Sequence, residues 1–132
     1  MELYKSKGVL RYGENWLVVD IDKGISAFYR SLIPKWKEFQ PQMYAPHITV
    51  VRSGKEEPIN REHWGKYKGE EIKFFYSPVI HEGTMYYWLN VFSVRLEEIR
   101  RELGMLVHSE YTLPPEGFLK CFHTTLGNSK KA

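Results

Sequence analysis

The sequence predicts a single mixed α/β (α+β) domain spanning residues 1–132, made of two pseudo-equivalent halves, each a small sheet with a helix behind it. Three observations carry that prediction. The chain has 132 residues, 42% of them hydrophobic, enough for one core. The succession strand, helix, strand occurs twice. The closing strand of each succession bears the same polar signature, His47-Ile48-Thr49 and His123-Thr124-Thr125. Trp16 and Trp88 lie 72 positions apart and His47 and His123 lie 76 apart, so the repeat keeps nearly one spacing.

In the first half, Trp16-Leu17-Val18-Val19-Asp20-Ile21 is a short apolar run bounded by turn residues, the pattern of a buried strand. Asp22 can N-cap a helix whose apolar face is Ile25, Phe28, Tyr29 and Leu32, at i, i+3, i+4 and i+7, and Pro34 stops it. A basic-aromatic segment, Lys35 to Phe39, leads to the strand His47-Ile48-Thr49-Val50-Val51. Between the halves, Glu71 to Tyr76 and Val79-Ile80-His81 read as strands of a hairpin or meander. In the second half, Tyr86 to Phe92 reads as a strand and Ser93 as an N-cap. Leu96, Ile99 and Leu103 form the buried face of a helix, and Gly104 ends it. A proline-rich loop, Leu113 to Gly117, precedes the strand Phe122-His123-Thr124-Thr125-Leu126.

Bulk properties narrow the function classes. No run approaches the 18 or so apolar residues of a membrane span, and the N-terminus shows no apolar signal region, so no membrane partner is expected. The lone Cys121 excludes an intrachain disulfide framework and suits a reducing cytoplasm. A net charge of +3 favours a small anionic ligand or a strand end over a grip on duplex DNA. A monomer is expected.

Residues i and i+2 of a strand share a face. His47 and Thr49 therefore point one way while Ile48 and Val50 point the other, and His123 and Thr125 likewise separate from Phe122, Thr124 and Leu126. Packed about a pseudo-twofold axis, the two polar faces would meet at a cleft. That set suits phosphodiester chemistry. One imidazole can deprotonate the attacking oxygen, the other can protonate the leaving oxygen, and the threonine hydroxyls can hydrogen-bond the non-bridging oxygens. Two of only five histidines carry this pattern, at equivalent places in a repeated plan; His63, His81 and His108 have no such neighbour. No metal or other cofactor is expected, because no His or Cys spacing fits a metal site and no glycine-rich phosphate loop occurs.

The paired motifs, His47-Ile48-Thr49-Val50 and His123-Thr124-Thr125-Leu126, resemble those of the two-histidine phosphoesterase superfamily, and the resemblance covers nearly the whole chain. It implies a bilobal fold of two pseudo-symmetric lobes, each with a small antiparallel sheet and a helix, around a central cleft. It implies catalytic roles for His47 and His123 and phosphate-binding roles for Thr49 and Thr125. The compact length and the phrase Trp88-Leu89-Asn90-Val91 before His123 to Asn128 look most like small phage-encoded members. Some of those cut cyclic oligonucleotide signals of bacterial immunity, acting in the host cytoplasm.

The expected substrate is accordingly a small nucleotide, ranked as a cyclic di- or oligonucleotide first and an RNA 2′,3′-cyclic phosphate end second. A nucleotide-binding module without turnover is the rival from another class. Among the aromatic residues Tyr12, Trp16, Tyr44, Tyr86, Tyr87, Trp88 and Tyr111, the strand tryptophans are expected in the core. Tyr12 and Tyr44 are the base-stacking candidates. Arg52, just past the first motif, and Lys120, just before the second, are candidate phosphate contacts. Cys121 alternates onto the face of His123 but stands too far along the strand to bond it, and is expected only to line or flank the cleft.

Overall fold

The computed structural model describes residues 2–42, 44–109 and 112–129, which leaves Tyr111 outside the described residues. It contains seven strands and two helices in the order β1 (Tyr4–Tyr12), β2 (Leu17–Ile21), α1 (Lys23–Ser31), β3 (Gln40–Pro41), β4 (His47–Val51), β5 (Glu71–Glu82), β6 (Tyr86–Phe92), α2 (Val94–Glu102) and β7 (Phe122–Asn128). A 3₁₀ turn, Arg61–His63, precedes β5. Every strand pairing is antiparallel. The order is β3-β7-β4-β2-β1-β5-β6, with β6 pairing back to β7, so the sheet closes on itself. Among the described residues no helix is long and apolar enough to cross a membrane.

The two halves are arcs of this one sheet. β1, β2 and β4 form one arc and β5, β6 and β7 the other, joined along β4–β7 on one side and β1–β5 on the other. Their registers correspond. Val18 and Asp20 face Thr49 and His47, while Trp88 and Asn90 face Thr125 and His123. On the far side of each middle strand, Arg11 faces Val18 and His81 faces Trp88. A register shift falls at the equivalent step in both arcs, between Leu17 and Val18 and between Tyr87 and Trp88. β-Bulges of this kind re-aim side chains beside functional sites.

Local sequence explains most of the elements. Asp22 Oδ1 accepts the Gly24 N–H at 2.9 Å, and Ser93 Oγ accepts the Leu96 N–H at 3.3 Å. Each therefore satisfies one of the orphan donors that open a helix. Gly104 ends α2 at φ +77°, where a side chain would be strained. Leu96, Ile99 and Leu103 are almost wholly buried and join Leu10, Val19, Ile48, Val50, Ile72, Phe74, Val91 and Phe122 in the main core. α1 behaves differently from its predicted face. Phe28 and Leu32 are more than half exposed, whereas Ser26, Tyr29 and Ile33 are buried. Tyr29 and Ile33 pack with Tyr87, Leu89 and Leu126 in a second core cluster.

Besides the two-residue β3, which was not expected and pairs with the end of β7, two strands depart from expectation. β1 carries no sequence signal, because of Tyr4 to Tyr12 only Gly8 and Leu10 are buried. It exists because β2 and β5 pair with its two edges. A Cβ at Gly8 would run into the Asp20 carbonyl, so glycine permits that approach. The second departure is β5, one strand where two were expected. Its register against β6 shifts between Tyr76 and Ile80, which absorbs the expected break at Pro78.

Candidate active site

β4 and β7 meet through a single residue pair, Ile48 opposite Thr124, the central residues of the two His-x-Thr motifs. An antiparallel pair has a local twofold axis, so this pairing relates one motif to the other. It brings Thr49 near His123 and His47 near Thr125, with the two histidines on a diagonal. Ile48 is 0% exposed and Thr124 1%, both turned into the helix-backed core. His47, Thr49, His123 and Thr125 accordingly share the opposite face, as the alternation predicts; the first two and Thr125 are half-buried and His123 is exposed. The motifs thus lie side by side in one sheet, where the sequence left them facing each other across a gap between lobes.

Two cavities flank this quartet and meet at Thr49 and Arg52. The one on the His47 side encloses about 630 Å³ and is walled by Arg11, Trp16, Val18 and Tyr44. The one on the His123 side encloses about 390 Å³ and is walled by His108, Thr112, Lys120, Cys121 and Thr125. Phe118 packs against Phe75 and Phe92 at 5.8 and 5.5 Å, which fastens the loop that carries Thr112 to Lys120 onto the sheet.

The two imidazoles are held differently. His47 Nδ1 lies 2.8 Å from the Ala45 carbonyl oxygen. A carbonyl only accepts, so Nδ1 carries the proton and, in the neutral ring, Nε2 keeps its lone pair. His123 leans on aromatic contact, its ring 5.6 Å from the Trp88 indole at 58°. Its pKa lies below the ordinary histidine value, first because the cavity walls displace part of the water around the charged ring although one side of it stays open, then because Lys120, His81 whenever it carries a second proton, and Arg52 repel it.

Beyond the quartet, buried polar residues of α2 hold the segments that line the second cavity. Arg100 is 2% exposed and donates to the Val50 carbonyl at 2.7 Å, the Leu106 carbonyl at 2.8 Å and Glu56 at 2.8 Å. Glu56 also accepts the Arg52 N–H at 3.2 Å, so Arg100 ties the end of β4 to the turn that bears Arg52. Burial opposes the Glu56 charge, but the bonds and charges of Arg100 and Arg52 together outweigh it and keep the carboxyl below its usual range. Glu97 accepts the Leu119 and Lys120 N–H groups at 2.9 and 3.2 Å and so sets the approach to β7. The Lys120 ammonium is destabilised by desolvation and by Arg100 and Arg52, against a smaller attraction to Glu56.

The candidate ligand residues divide. Tyr44 is 73% exposed on the rim of the first cavity, in position to stack. Arg52 lines both cavities and Lys120 the second. Tyr12 does not reach the site. It follows the inward alternation of Leu10, packs edge-on to Trp64 at 5.2 Å, and buries its hydroxyl. The adjacent Arg11 points to the cleft in its place, its guanidinium 4.8 Å over the Trp16 ring. Trp16 and Trp88, expected in the core, both sit half-buried on the cleft face. The Cys121 thiol is buried and its pKa is pushed up to about 11, which makes it a poor nucleophile.

Sequence reasoning passed over Arg11, His81, Asn90 and His108 at this site. Asp20 and Asn90 were detectable, as lone polar residues inside apolar strands that need a partner when buried. Arg11 and His81, which bond them, come from other strands and leave no local pattern, while Trp88 bonds Asn90 within β6. Among the described residues no three His, Cys, Asp or Glu side chains gather as a metal-ligand set. No protein-family model, curated protein or solved structure matches the chain.

Proposed function

We propose that the protein is a metal-independent phosphodiesterase, built on the two-lobed plan of the two-histidine phosphoesterase superfamily, that hydrolyses nucleotide phosphodiester bonds. The observation that carries this reading is the Ile48–Thr124 pairing. It sets two imidazoles and two hydroxyls around one local twofold axis, at the junction of two open cavities. A tetrahedral phosphate held over that axis would meet a threonine hydroxyl and a histidine on either side. The corresponding registers of the two arcs support the lobed plan.

The surroundings divide the labour. His47, with Nδ1 committed to Ala45, offers Nε2 as the base that takes the proton of the attacking oxygen, a water or a neighbouring ribose hydroxyl. The new P–O bond forms as the bond to the leaving oxygen breaks, and His123 supplies that oxygen with a proton. Arg52 and Lys120 disfavour the protonated His123 in the free protein. A bound phosphodiester anion offsets those charges, so the acid becomes loaded when substrate is present. Thr49 and Thr125 hydrogen-bond the non-bridging oxygens.

Room on both sides of the phosphate favours a ligand that continues in both directions, with a base against Trp16 and Tyr44 and the next unit toward Arg52 and Lys120. Cyclic di- or oligonucleotide signals of antiviral immunity fit that description, as a phage-type evasion activity. Incubating the pure protein, with and without EDTA, with cyclic dinucleotides, cyclic trinucleotides and 2′,3′-cyclic mononucleotides, read by mass spectrometry, tests it. Linearised cyclic oligonucleotides in EDTA are expected. Turnover of 2′,3′-cyclic mononucleotides alone would move the assignment to RNA ends. Ligand recovered intact would make the site a binding module, and activity restored only by added metal would overturn the mechanism.

A further inference from the structure

Beside His123 three side chains are bonded to one another in a way that fixes the tautomer of the one that titrates, His81. The Trp88 indole N–H can only donate, and it reaches Asn90 Oδ1 at 3.0 Å. That sets the amide orientation and turns Asn90 Nδ2, also a pure donor, toward His81 Nε2 at 3.0 Å. His81 Nε2 must therefore accept, so its ring proton sits on Nδ1. A second proton on His81 would bring two donors face to face.

The same trio abuts His123. Asn90 is its ladder partner across β6–β7, and Trp88 is the partner of Thr125 and, on its other side, of His81. The indole lies between the two imidazoles, stacked on His81 at 5.7 Å and 18° and tilted against His123 at 5.6 Å. Among the described residues, the charged or titratable groups around His123 are Lys120 and Cys121 ahead of β7, Arg52 at the end of β4, His47 diagonally across the β4–β7 junction, His81 on β5 and His108 across the cavity; β6 offers neutral Trp88 and Asn90. Each of Lys120, Arg52 and a charged His81 would drive the proton off His123.

The geometry points to a positioning role for Asn90 and His81: Asn90, oriented by Trp88, locks His81 as a neutral ring, and that neutral wall lets His123 take up the proton it delivers. The inference rests on the acid role proposed for His123. The other arc independently follows the same rule. Asp20, the ladder partner of His47, is closed into a neutral unit by Arg11 through bonds of 2.6 and 3.0 Å. In both arcs the residue opposite the motif histidine is bonded to a side chain of the third strand in a unit without net charge.

Imidazole ¹⁵N NMR of the wild-type protein tests the lock directly. His81 is expected to remain the Nδ1–H tautomer across about pH 5–8, where a free imidazole titrates. Asn90→Leu frees His81 to charge. His123 should then bind its proton about tenfold more weakly, with kcat down about tenfold and KM within about twofold. In a His81→Phe background, which keeps a ring against Trp88, adding Asn90→Leu should leave the His123 titration unmoved. A His81 that titrates in the wild type like free imidazole overturns the proposal. So does an equal Asn90→Leu effect in both backgrounds. A wild-type protein without turnover would refute the phosphodiesterase reading, while the titrations would still decide this one.

Discussion

His47 and His123 occupy equivalent places in two arcs of one sheet, yet almost everything around them differs. His47 is anchored to its own backbone, faces an ion pair between Asp20 and Arg11, and opens on an aromatic cavity of about 630 Å³. His123 rests on an indole, faces the neutral Asn90–His81 pair, and opens on a cationic cavity of about 390 Å³. The shared register supplies the geometry that the proposed two-sided chemistry at phosphorus needs. The divergent neighbours separate an imidazole with a fixed lone pair from one whose proton depends on the charge nearby. An arrangement symmetric in both respects would not distinguish base from acid.

The sharpest way to break this comparison is to remove each histidine in turn. His47→Ala and His123→Ala should each lower kcat by roughly 10²–10⁴, the range of a general acid or base, with melting temperature nearly unchanged because both side chains stand off the core. The double variant should be little worse than either single one, since the two act on one step. A histidine whose loss left kcat intact would end the two-sided mechanism.

The cavities should differ next. Tyr44→Ala and Trp16→Ala should each weaken binding by about 1–3 kcal/mol if a base stacks there, read as a higher KM with kcat little changed. Equal losses in kcat would mean that these rings shape the catalytic centre instead. On the other side, Lys120→Met removes a cation that lowers the His123 pKa. The His123 titration, followed by NMR, should therefore move to higher pH, and any rate limb that reports it should move the same way. The protein should not lose stability, because the fold disfavours the Lys120 charge by desolvating it.

The smallest effect expected separates two adjacent threonines. Thr125 stands on the cleft face, whereas Thr124 is buried with its hydroxyl unpartnered among the described residues. Thr124→Val should raise stability by up to about 1 kcal/mol in denaturant unfolding, with kcat unchanged. Destabilisation would indicate a partner for that hydroxyl.

Much of the fold was legible because its signals are local. The apolar runs of β4 and β6, the caps at Asp22 and Ser93, the α2 stripe and Gly104 are each written within a few neighbouring residues. β1 was not legible, since its charged and small residues form a strand only with a partner at each edge. Tyr12 and Arg11 show the same limit at the site. Alternation says that they point in opposite directions, but which direction is the cleft depends on where β1 packs.

By itself the sequence determined the repeated strand-helix-strand plan and the faces shared by His47 with Thr49 and by His123 with Thr125, because a period of two is a property of the strand alone. Only the tertiary structure decided that Ile48 pairs with Thr124, that Arg11 closes on Asp20 and His81 on Asn90, and that Trp88 stands against His123. Those contacts join residues far apart along the chain. Their register is set by how the buried faces of the strands fit together over α1 and α2.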